Sequence, residues 1–163
     1  MNQDASFDRT ALSDLVAREA TLLDDGRWNE WLALFGEDGL YWVPVLGRLS
    51  SAGAPTSSSA PLQDRLALQA RVAQLSERAE QAQHPAGQHV LQDSRLEYMD
   101  AEAGSAALRT PFLYMEGWGT QRLMLAGSFR HLFQRTAQGP RIAIKRVDLL
   151  GGVHHLPAVQ RII

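Results

Sequence analysis

The sequence predicts an α+β fold of cone shape, with three N-terminal helices packed on the concave face of a strongly curved, mainly antiparallel sheet. Three observations carry this. Apolar residues recur at the helical period from about Thr10 to Asp25, and again from Leu68 to Ala82. After Gly87 the chain changes to four strand-like segments, about 88–100, 106–118, 121–136 and 141–150. Gly104, Gly119 and Gly139-Pro140 fall in their connections, where hairpins turn.

Residues 1–9 read as a loose arm. In the first helix Leu12, Leu15, Val16, Ala20, Leu22 and Leu23 make one apolar face. Glu19 falls on that face. A carboxylate buried there must find a hydrogen-bonding or cationic partner, or its pKa rises. Two readings stay open: a structural anchor for a sheet arginine or backbone amides, or a general base in a pocket. Gly26 closes the helix, since left-handed backbone is least strained for glycine. Asp25 is the expected cap of a short second helix. Its apolar face is Trp28, Trp31, Leu32 and Phe35, and Gly36 ends it. Leu40 to Val45 is β-branched and aromatic and stops at Pro44, which suits a strand joining the sheet edge.

Residues 47–60 are rich in Gly, Ser and Pro and read as a mobile loop. Ser59 and Pro61 signal the start of a third helix. Leu68, Val72, Leu75, Ala79 and Ala82 give its apolar stripe, ending near His84-Pro85. In segment 121–136, Leu123, Leu125, Gly127, Phe129, His131 and Phe133 share a face. In segment 106–118, Leu108, Phe112, Tyr114 and Trp118 share a face with Glu116. Pro111 demotes this segment to an edge strand or marks a bulge. In the last segment Ile142 and Ile144 switch phase to Val147 and Leu149, which fits a bulge or a strand covered on both sides.

A chain of 163 residues is most simply one domain, 1–163. A net charge of −2 leaves no basic nucleic-acid footprint. No apolar run approaches the roughly 20 residues that span a bilayer. The polar, acidic start lacks the pattern of a signal peptide, so a cytoplasmic location is expected. There is no cysteine. Disulfides, a thiolate nucleophile, iron–sulfur clusters and cysteine zinc sites are thereby excluded.

The run E-A-x-L-L-D-x-x-x-W-x-x-W-L-x-L-F-x-x-D-x-x-Y-W-V-P, Glu19 to Pro44, resembles the opening of the small (β) subunits of aromatic-ring-hydroxylating dioxygenases. These belong to the nuclear-transport-factor/ketosteroid-isomerase-like superfamily of cone-shaped proteins. Later pieces are similar in order and spacing: Asp64 to Leu75, the corner His84-Pro85 leading to His89, the strand Ile142 to Leu150, and the tail Leu156 to Ile163. Three departures are an absent arginine at the corner before His89, Gly151-Gly152 in place of an asparagine-containing turn, and a short arm before the first helix.

The resemblance implies a non-catalytic subunit in an α3β3 assembly, or a β3 trimer alone. The large α subunit would carry the Rieske [2Fe-2S] cluster and the mononuclear iron, with no cofactor in this chain. It implies work in aromatic-compound catabolism, with no nucleic-acid or membrane partner. Among the histidines, His84, His89, His131, His154 and His155, no pair has metal-ligand spacing. Asp24-Asp25 and Glu37-Asp38 are expected to cap the corners that they flank. A second function class stays open, a stand-alone isomerase or dehydratase of a small cyclic substrate. Its acid/base set would be His131, Tyr41, Glu19 and Glu116. Under the bland reading these are a satisfied core histidine, a buried tyrosine and structural carboxylates.

Overall fold

The computed structural model describes residues 7–44, 62–81, 86–150 and 162–163. Helix α1 runs Arg9–Asp24 and α2 Trp28–Leu32, followed by strand β1, Phe35–Trp42. The pair Leu62–Gln63 forms β2, and helix α3 spans Arg65–Glu80. Then come β3 (Ala86–Leu91), β4 (Arg95–Asp100), β5 (Ser105–Trp118), β6 (Gln121–Thr136) and β7 (Gly139–Leu149). The sheet order is β2-β1-β7-β6-β5-β3, with β4 also paired to β5. Neighbouring strands are antiparallel except β1 and β7, which run parallel. The expected α+β class and mainly antiparallel sheet are present. No helix among the described residues is long and apolar enough to cross a membrane.

Local chemistry explains the helix ends. The backbone N–H of Ala11 donates to Asp8 Oδ1 at 2.9 Å, so α1 begins where the sequence reading placed a loose arm. Gly26 follows the helix at φ +70°, a conformation that glycine adopts without Cβ strain. Asp25 is the C-cap of α1 rather than the cap of α2, whose N-cap is Arg27 without a side-chain bond. Helix α2 stops at Leu32, before Gly36. Phe35 and Gly36 instead open β1, where Phe35 pairs with Ile142 of β7. The short helix leaves orphan carbonyls. Arg65 Nη1 supplies donors to the oxygens of Leu32, Phe35 and Gly36, at 3.4, 3.1 and 3.1 Å.

Helix α3 is capped by Asp64, whose Oδ1 accepts from Ala67 N–H at 2.9 Å. Residues 62–63 are held in a strand against β1, so the helix cannot start earlier. The expected start at Ser59 and Pro61, the loop 47–60 and the end near His84-Pro85 lie outside the described residues. Segment 88–100 is two strands, and both pair with β5. Pro111 therefore sits in an interior strand, not at an edge. It falls between the stretches that β3 and β4 cover, where its missing N–H breaks no ladder, and its carbonyl accepts from Gln92 N–H at 3.0 Å. Likewise β1 lies between β2 and β7, one place in from the edge.

The core lies between the helices and the inner sheet face. Leu12, Val16 and Leu23 of α1 and Leu68, Val72 and Leu75 of α3 meet Leu108, Phe112, Phe129 and Phe133. The rings of Phe112 and Phe129 stack at 3.9 Å across β5 and β6. The phase switch in β7 occurs as a register shift opposite Leu132 and Phe133, which turns Lys145 and Val147 inward.

Close strand spacing favours glycine at position 127. A Cβ on Gly127 would stand 2.2 Å from the carbonyl oxygen of Asp148, whereas one on Gly119, at φ +55°, would meet nothing. Gly127→Ala should destabilise the protein by about 1–3 kcal/mol through forced separation of β6 and β7. Gly119→Ala should cost only about 1–2 kcal/mol of left-handed strain. Urea unfolding with an altered β6–β7 amide-exchange pattern in Gly127→Ala alone distinguishes the two effects. Indistinguishable exchange patterns would refute the spacing argument.

Candidate functional site

The inward face of the first helix carries the most deeply buried carboxylate among the described residues. Glu19 is 1% exposed, with His131 and Lys145 at 0%. Its Oε1 accepts from the indole N–H of Trp31 at 2.8 Å and lies 2.9 Å from Lys145 Nζ. Its Oε2 lies 2.9 Å from His131 Nε2. Four elements thus converge: α1 supplies the carboxylate, α2 the indole, β6 the imidazole and β7 the ammonium. An ionised carboxylate only accepts, so Nε2 of His131 carries the proton in this contact. His131 Nδ1 is then left buried without a partner. Lys145 also sits 4.3 Å from the Phe129 ring centroid, so its charge is shared between the carboxylate and an aromatic face.

The electrostatics follow from that packing. Burial by itself would push the Glu19 carboxyl up. Lys145 and His131 outweigh burial and hold it well below the usual carboxylate range. Burial pushes the Lys145 ammonium down from the ordinary lysine value, and Glu19 offsets part of that. A carboxylate held so firmly in its ionised form is a weak base, and Glu19 is almost wholly shut off from solvent.

Of the four residues offered as an acid/base set, two meet. Glu19 and His131 are directly bonded. Tyr41 stands beside them, its ring 6.4 Å from Trp31, but its hydroxyl donates to the carbonyl of Ile163 at 3.1 Å. Burial pushes that phenol up to about 12. Glu116 does not join them. It accepts from Tyr114 at 2.8 Å and lines an open cleft of about 490 Å³ with Gly87, Gln88, Arg122 and Met124.

The expected anchor partner for Glu19, an arginine or backbone amides, is instead a lysine, a histidine and an indole. Lys145 was missed in the sequence. The signal was present, because the phase switch to Val147 puts position 145 on the same buried face. Asp24 reaches from its corner to the sheet. Its carboxylate accepts from the backbone N–H of His89 at 3.0 Å and meets His89 Nδ1 at 2.7 Å, joining the end of α1 to β3. Glu37 and Asp38 lie inside β1 rather than at a helix corner. Among the described residues no group of three or more His, Asp or Glu side chains could hold a metal ion. His84, His154 and His155 lie outside the described residues, and nothing is described of the Trp118 side chain.

Comparison with known proteins adds a family. Residues 18–154 match the model of the ring hydroxylating beta subunit. The chain is 33% identical over 96 residues to the small oxygenase component of the p-cumate 2,3-dioxygenase system of Pseudomonas putida. That match covers 58% of this chain and 53% of the relative, about half its length. Among solved structures, the beta subunit of a benzoate 1,2-dioxygenase from Burkholderia mallei superposes with a TM-score of 0.74 at 20% identity, covering 96% of this chain and 99% of that one. A naphthalene 1,2-dioxygenase with indole bound superposes at 0.68 and 15% identity, over 86% of this chain and 77% of that one. At these identities both show a shared fold.

The buried cluster makes a pH-dependent contribution with a defined sign. Glu19 has a folded pKa below its unfolded value of 4.5, so its contribution is present above that pH and is lost as pH falls. Glu19→Gln should destabilise the protein by about 3–5 kcal/mol at neutral pH, because Lys145 and His131 stay buried without their anion. It should also flatten the fall of stability below that pH. Urea midpoints across the acid range check both, and an unchanged acid slope in Glu19→Gln would remove Glu19 as the source.

Proposed function

The chain belongs to the ring hydroxylating beta subunit family, and on that footing we propose that it is the non-catalytic small subunit of a multicomponent aromatic-ring-hydroxylating dioxygenase. It supports assembly of a larger, iron-bearing subunit and associates with further copies of itself, as in an α3β3 complex. The work of the complex is oxidation of an aromatic ring compound, and this chain contributes shape.

The observation that supports this reading most is the Glu19 cluster. The cone interior, where a stand-alone enzyme of this fold would need an accessible acid/base pair, is closed by a neutralised ion cluster among aromatic rings. Its members hold α1, α2, β6 and β7 together. They are spent on one another, and all three ionisable members are buried. The donor set does not fit the family's cofactors either. A Rieske cluster takes cysteine and histidine ligands, and the sequence has no cysteine. The described His–carboxylate pairs, His89–Asp24 and His131–Glu19, each join one histidine to one carboxylate, short of the two histidines and a carboxylate that a mononuclear iron site takes. No redox step is therefore assigned to this chain, and the metals are expected in the large subunit.

Co-expression with a large subunit of a ring-hydroxylating dioxygenase from the same source tests the reading. The two should copurify with iron and the cluster in the larger chain, while this chain alone binds neither and turns over neither an aromatic ring compound nor a cyclic ketone. Stoichiometric iron in the isolated chain, or turnover by it, would overturn the proposal. So would failure of the two chains to copurify.

A further inference from the structure

The Glu19 cluster holds a feature that a plain ion pair does not require. Lys145 Nζ lies 2.9 Å from Oε1 of Glu19. That approach is not in hydrogen-bonding geometry, and Nζ has no hydrogen-bond partner among the described residues. An ammonium has donors on every side, and leaving them unmet inside a protein is costly. Burial pushes this group toward the neutral amine, although Glu19 offsets part of that push. An amine nitrogen is thus held against a carboxyl group in a shell that excludes water. The carboxyl carbon, Cδ, is one covalent bond from the oxygen that Nζ touches, so the reacting groups are already gathered.

The two other neighbours of Glu19 stand where a condensation needs them. The indole N–H of Trp31 is 2.8 Å from Oε1 and fits the donor to a developing oxyanion. His131 Nε2 is 2.9 Å from Oε2 and carries the proton that a departing oxygen must gain. A nucleophile, an oxyanion donor and a general acid therefore surround a single carboxyl carbon. Anchoring Glu19 explains why it has partners. It does not explain why one of them is an amine outside hydrogen-bonding geometry.

We propose that Glu19 and Lys145 are a self-modification site, at which Lys145 Nζ and Glu19 Cδ condense to an isopeptide bond that staples α1 to β7. An ammonium proton first crosses to the carboxylate, giving a neutral amine and a carboxyl group. The Nζ lone pair then attacks Cδ, and the displaced electron pair goes to Oε1 under the Trp31 N–H. His131 Nε2–H protonates Oε2, the Cδ–Oε2 bond breaks, and water leaves with both protons. A second proton from Nζ returns to His131 Nε2, so the imidazole ends as it began. Nothing is oxidised or reduced, and no co-reactant is needed. The neutral pair is the less populated state, because cations hold Glu19 ionised, so the bond forms slowly after folding. Such a link restrains the unfolded chain as a disulfide does, in a chain that has no cysteine to make one. It concerns this chain alone and does not depend on assembly with a larger subunit.

Intact mass of the full wild-type chain tests this, measured in denaturant when freshly purified and again after several days at physiological temperature. The mass should fall by that of one water. Tryptic digestion should then yield a branched peptide, Glu19–Arg27 joined through Lys145 to Ile142–Arg146, because trypsin does not cleave after an acylated lysine. Lys145→Met should lose no water. The linked wild-type chain should also lose the acid slope of stability assigned to Glu19, since an amide does not titrate there. A mass that stays at the sequence value after incubation would overturn the proposal, and that measurement needs no variant to fold. So would an equal loss of water in Lys145→Met, or a loss without the branched peptide, since Asp25-Gly26 can also cyclise with that loss.

Discussion

A single carboxylate inside an apolar shell sets the terms for the rest of this molecule. Isolated, the Glu19 anion would be intolerable at its depth. It is tolerated because one neighbouring helix and two sheet strands each send a donor to it: the Trp31 indole, the His131 imidazole and the Lys145 ammonium. None of these donors is local in sequence to the others. Each pairing is satisfied only when α1, α2, β6 and β7 occupy their final positions. A buried polar cluster of this kind contributes little net stability against a well-packed apolar replacement, but it penalises alternative packings heavily. Uniqueness of the helix-on-sheet arrangement is its main effect.

The remainder of the interior is arranged to support that cluster. Phe129 and Phe133 flank His131 on β6, with Phe133 stacked on the imidazole at 5.7 Å and Phe129 edge-on at 5.9 Å. The register shift in β7 is what brings a lysine, rather than an isoleucine, under Glu19. A second carboxylate, Asp24, repeats the device at the end of α1 by holding His89 of β3. One helix is therefore fastened to the sheet at two points, by carboxylates placed five residues apart in the sequence. The two contacts fix the helix on the inner face of the sheet. On the outer face of the sheet, opposed arginines stand on four neighbouring strands.

The sequence already marked Glu19 as out of place on an apolar helical face, and His131 as out of place on an apolar strand face. That each was a misfit was legible, because period 3.6 and period 2 assign faces without any tertiary information. That the two misfits solve one another was not legible, since they stand 112 positions apart. Glu116 looked like a third member by the same alternation, yet it bonds two residues along its own strand. Pro111 misled for a related reason. Its missing donor argues for an edge only when the partner strand is continuous, and here the partner is two strands with a gap between them.

Residue pattern alone was enough for the α+β class, the helix stop at Gly26, the inward face of β6 and the exclusion of thiolate and iron–sulfur chemistry. Each follows from local backbone sterics, from periodicity or from the plain absence of a ligand atom. Folding in space settled the rest: where the segment after His89 divides, that β1 runs parallel to β7, which cation answers Glu19, and that four arginines from four strands stand in one line. These are matters of register between distant segments. Register depends on how much apolar surface and how many hydrogen bonds the whole sheet satisfies at once, a sum that no single stretch of chain contains.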